Sequence, residues 1–112
     1  MSAPRAMTTA EARARFLDVV SASVQYWATL PGMPARERCE GVAFSILVIL
    51  DGESGGFPGC DVIARPHPDD AAYYSGRGEN WIAPGTLLNA EPLHHALHQR
   101  HPTRETREVH DV

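Results

Sequence analysis

Residues 36–56, RERCEGVAFSILVILDGESGG, decide the fold, because their apolar core can be read as a helix or as a buried strand. Cys39, Val42, Ala43, Ile46, Ile49 and Leu50 recur at i, i+3, i+4 and i+7, the stripe of an amphipathic helix. Pro34 suits a first helical turn, Arg36, Glu37, Arg38 and Glu40 crowd the start, and Gly52 falls where a C-terminal cap belongs. Against this, four of the nine residues from 42 to 50 are β-branched, and Gly41 costs a helix about 1 kcal/mol. The charged lead-in and the stripe favour a helix; the strand stays the alternative.

Working outward, Thr8 and Glu11 have capping-box spacing ahead of Phe16, Val19, Val20, Trp27 and Leu30, and Pro31-Gly32 ends that run. The two helices should form a hairpin with Val20, Trp27, Ile46 and Ile49 against one another. Downstream, CDVIAR (60–65) and NWIAP (80–84) read as short strands around a turn with one helical turn in it. EPLHHALHQRH (91–101) reads as a short helix with Pro92 at its first position and Leu93 and Leu97 on its apolar side. The expected fold class is α+β: an N-terminal antiparallel helical hairpin packed on a small sheet of short strands, with a short C-terminal helix. Residues 8–101 would form one globular domain between a flexible tail at 1–7 and a flexible charged tail at 102–112.

Composition narrows the partners. The 112 residues carry a formal charge of −4, with no basic surplus for duplex nucleic acid. All ten basic residues are arginines, which fits a GC-rich genome better than an arginine-built binding face. The longest apolar run, 43–50, is far short of the ~20 residues that span a bilayer. No signal-peptide pattern opens the sequence. Cys39 and Cys60 have neither C-x-x-C spacing nor a cysteine framework, so free thiols in a reducing cytoplasm are expected.

Three motifs invite chemistry. Gly52-Glu53-Ser54-Gly55-Gly56 satisfies G-x-S-x-G and resembles the G-D-S-G-G signature of chymotrypsin-like proteases. Every histidine follows Ser54, which excludes the protease order, and Phe57-Pro58-Gly59 cannot start the helix that a nucleophile elbow needs. A glycine-rich turn is expected. His67-Pro68-Asp69-Asp70 after an apolar run resembles the H-P-D-D motif of PIG-L/LmbE-type zinc deacetylases. That resemblance implies His67 and Asp70 as zinc ligands and Asp69 as general base. Ala71 stands where the motif's glutamate usually follows, and the family's H-x-D-H segment is missing; an ordinary helix start explains Pro68, Asp69 and Asp70 as well. The third motif, His94-His95-Ala96-Leu97-His98 with His101 beyond, places His94 and His98 on one helical face, with Glu91 three residues before His94. A polar helix face accounts for it. The alternative is a composite zinc site of His67, Asp70, His94 and His98. Tyr26, Trp27 and Trp81 could line a ligand pocket, although helical spacing places Trp27 in the core.

The helix ending FSILVILDG and the final LH-containing helix resemble small uncharacterised bacterial proteins, some of them immunity-like, over residues 36–99. The resemblance carries no catalytic residue. It implies a small cytoplasmic protein-binding module, and a toxin-like or other protein is the expected partner; self-assembly stays open, no cofactor is expected, and binding is expected ahead of enzymatic activity. The alternative function is a zinc-dependent, deacetylase-like hydrolase built on the His67–Asp70 segment.

Overall fold

The computed structural model describes residues 3–100. The expected tail at 102–112 and His101 lie outside the described residues. Among the described residues, four helices follow in order: α1 (Thr9–Ala28), α2 (Ala35–Leu50), α3 (Asp70–Gly76) and α4 (Leu93–Arg100).

α1 begins as its sequence demands. The Glu11 amide donates to Thr8 Oγ1 (3.2 Å), and the Thr8 amide donates to Glu11 Oε1 (2.9 Å), so the box satisfies two otherwise orphaned donors. Arg5 grips the same carboxylate with both terminal nitrogens, at 2.8 and 3.1 Å, which ties the preceding segment to the helix start. The Arg5 guanidinium first, and the Thr8 hydrogen bonds after it, lower the Glu11 pKa to about 2. A carboxylate with a depressed folded pKa supports the fold above its ordinary value of 4.5 and loses that support as pH falls through its folded value. The cap is therefore expected to hold at neutral pH and to fail between about pH 4.5 and 2. In Arg5→Ala, the Glu11 carboxyl signal in a carbon-detected NMR titration should move its midpoint upward.

The other end of α1 is closed by a residue from α2. Arg38 donates to the carbonyls of Trp27 (2.9 Å), Ala28 (2.7 Å), Leu30 and Met33 (2.9 Å), filling acceptors that a helix end leaves open. One guanidinium thus caps α1 and fixes the turn into α2. Beside it, Gly41 is buried under the Trp27 indole; a Cβ there would fall 2.4 Å from a ring carbon. The glycine that costs α2 helix propensity is what lets the helices approach. The indole nitrogen donates to Ser45 Oγ at 2.8 Å, holding the ring in place.

Residues 42–50 are helical throughout, so the strand alternative is excluded. The cap of α2 is the expected glycine turn. Gly52 has φ +84°, its amide donates to Ile49 O (3.1 Å), and the Glu53 amide donates to Val48 O (3.0 Å). The loop then doubles back: a Cβ on Gly52 would meet Gly59 Cα at 2.7 Å, and the Cys60 amide donates to Leu50 O at 2.8 Å. Phe57 reaches Phe16 edge-to-face, with centroids 5.4 Å apart.

The expected sheet does not form, and the fold is helical rather than α+β. Among the described residues, strand pairing amounts to one antiparallel bridge, Ile63 with Leu87. The hydrogen bonds around it are Ala64 N to Thr86 O (2.9 Å), Gly85 N to Ala64 O (3.0 Å) and Leu88 N to Val62 O (2.8 Å). Residues 60–65 therefore find a partner at 85–88, not in the expected 80–84 segment. Pro66, Pro68 and Pro84 lack amide donors and lie together at one end of the pairing, where they stop the ladder; at the other end the Val62 amide donates to the Asn89 side chain instead of a strand.

The core is correspondingly small. α2 packs on α1 and on α4, while α3 packs on no other helix. Ile49, 1% exposed, is the one fully buried large apolar side chain among the described residues; Val20, Trp27 and Ile46 are half-buried, and Cys39 and Ala43 of the expected stripe are exposed. The Cα radius of gyration is 18.4 Å, against about 13 Å for a compact domain of this length. No described helix is long and apolar enough to cross a membrane.

Candidate functional site

The most highly organised polar group joins three distant parts of the chain at the end of α2. Asp51 stands at the C-cap of α2, and its side chain is 3% exposed. Its Oδ2 accepts from the His94 amide (3.0 Å) and lies 2.7 Å from His94 Nδ1. Its Oδ1 accepts from Asn89 Nδ2 at 3.3 Å. Asn89 also donates to Cys60 O (2.7 Å) and accepts from the Val62 amide (2.9 Å), standing in for a strand the segment lacks. One carboxylate thereby holds α2, the 60–62 segment and the first turn of α4 together.

Burial pushes the Asp51 carboxyl up. The ring and backbone hydrogen bonds from His94, then the one from Asn89, outweigh burial and hold it below its ordinary value. Ionised Asp51 has only lone pairs to offer, so the hydrogen on this contact belongs to His94 Nδ1. The His94 ring is 4% exposed, packs edge-to-face on Phe44 (5.6 Å), and turns Nε2 toward Glu53 Oε2 at 3.3 Å. The His95 ring lies beside it at a 56° tilt, with ring centroids 4.2 Å apart.

The residues singled out from sequence are dispersed. Ser54 Oγ accepts from the Gly56 amide (3.2 Å) inside an exposed turn, and the next helix begins only at Asp70. His67 is exposed and its Nδ1 accepts from the Asp69 amide (3.1 Å), while Asp70 opens α3, so HPDD forms a helix entry. Asp69 is 89% exposed and 3.7 Å from His67. His98 is exposed and faces Phe44 at 6.3 Å. Glu91 is exposed. Among the described residues, neither His67 nor Asp70 belongs to a group of three with ligating atoms close together; Glu53, His94 and His95 do. Tyr26 (58% exposed) and Trp81 (50% exposed) do not enclose a pocket with Trp27. An open apolar groove runs instead between Met7, Phe16, Leu50 and Phe57.

Sequence reasoning missed Asp51, Glu53 and Asn89. Asp51 and His94 lie 43 positions apart, and no local pattern links them.

A second feature is apolar. Of the exposed large hydrophobic residues, Ile63, Tyr73, Tyr74, Trp81, Ile82, Leu87 and Leu88 all fall in the segment from 63 to 88 that carries the unpacked α3. Arg77 lies over the Tyr73 ring, 5.4 Å from its centroid.

No family model, curated protein or solved structure matches the chain.

Proposed function

We propose that this is a cytoplasmic protein-binding module, acting on a toxin-like or other protein partner, with segment 63–88 as its docking face. The supporting observation is the concentration of seven exposed large hydrophobics on a segment whose helix touches no other helix. Scattered apolar surface residues are ordinary; a run of Tyr, Tyr, Trp and Ile with an arginine over a ring has the composition of an interface hot spot. Asp61, Asp69, Asp70, Glu79 and Glu91 outnumber Arg65 and Arg77 around it, which favours a basic rim on the partner. The free thiols Cys39 and Cys60 accord with a reducing compartment.

The test is capture from host cells with the full chain and with Tyr73→Ser/Trp81→Ser/Ile82→Ser as bait. The three side chains are half or more exposed, so the variant should fold normally and lose the partner. A partner retained unchanged by the variant contradicts the proposal.

A further inference from the structure

We propose that Glu53, His94 and His95 form a binding site for a zinc-class divalent cation, with Asp51 orienting the buried histidine from behind. The ligating atoms of the three residues all lie within 4.8 Å of one another. The His94 ring is clamped on one side only. Its Nδ1–H is committed to the Asp51 carboxylate at 2.7 Å, which leaves Nε2 as the ring's free ligating atom, 3.3 Å from Glu53 Oε2. A metal ion between the two atoms would take a lone pair from each. The separation suits the ion: two ligands at the usual zinc distance of about 2.0–2.1 Å, set at tetrahedral angles, are about 3.3 Å apart.

A carboxylate behind a metal-binding histidine fixes its tautomer and raises the basicity of the other nitrogen, and Asp51 stands there already. Two imidazoles and one carboxylate select zinc and its neighbours over magnesium or calcium, which favour all-oxygen shells. His94 is rigid and buried, whereas Glu53 and His95 are exposed and can close on the ion by rotation. Their exposure also leaves a fourth position to water, the open arrangement of two-histidine, one-glutamate sites. The ion would join the loop after α2 to the first turn of α4, where Asp51 already links them. The site is distinct from the H-P-D-D segment and from the docking face.

Calorimetric titration of the metal-stripped, thiol-reduced full chain with zinc sulfate tests this. One zinc per chain is expected, and cobalt in its place should give tetrahedral ligand-field bands without thiolate charge transfer. Glu53→Gln and His95→Ala should each weaken zinc at least 10-fold, and together abolish it; both side chains are exposed, so neither variant should disturb folding. His67→Ala/Asp70→Ala should bind zinc as the unaltered chain does. No binding at 0.1 mM zinc, binding indifferent to both Glu53→Gln and His95→Ala, or binding lost in His67→Ala/Asp70→Ala would each overturn the site.

Discussion

Asp51→Ala is expected to destabilise the protein by about 3–5 kcal/mol, the cost of taking a charged acceptor away from several buried donors at once. The carboxylate is 3% exposed and satisfies the His94 ring, the His94 amide and Asn89 together. Its loss leaves buried donors without their acceptor. In a domain of this size that cost is comparable with the whole folding free energy, so much of the chain should be unfolded at room temperature. Denaturant titration followed by far-ultraviolet dichroism measures the effect. Asp69→Ala, at a side chain 89% exposed, should change stability by less than about 0.5 kcal/mol. Equal, small effects from both would mean that Asp51 does not hold the helices together.

Ile49→Ala is expected to cost about 2–5 kcal/mol, as burial of a packed aliphatic side chain implies. At 1% exposure, Ile49 is the centre of the small core, and the closeness of α1 and α4 to α2 leaves limited room for collapse around the missing atoms. Ile46, half-buried on the same helix, should cost less when truncated. Comparing the two midpoints by far-ultraviolet dichroism distinguishes a core centred on Ile49 from one spread evenly along α2. Indistinguishable midpoints would favour the even spread.

The helical hairpin was legible because its signals are local. A capping box, a proline at a helix entry and a glycine past a helix end act within a few residues, and each sits where its hydrogen bonds require. The sheet was misread because a short apolar run specifies burial, while a strand also needs a partner of matching length. Val62-Ile63-Ala64 has the right side chains, but Pro66 and Pro84 deny it a ladder, and the Asn89 side chain takes over one of the missing bonds. Arg38 reads from sequence as one of the charges crowding the start of α2, yet it caps α1. The Asp51–His94 pair was illegible for a different reason: it exists only once α2 and α4 are packed. The same packing brings Glu53 to His94, whereas spacing alone favoured His98, which shares the Phe44 ring with His94 but lies outside the Glu53–His94–His95 group.

The central claim is that segment 63–88 is the face a protein partner covers. Hydrogen–deuterium exchange of the captured complex against the free chain tests it most directly. Partner binding should slow exchange across α3 and residues 80–88, where exposed Tyr73, Trp81 and Ile82 would become buried, and should leave the middle of α1 unchanged. Slowed exchange confined to α1 and α2, with 63–88 exchanging as in the free chain, would contradict the account.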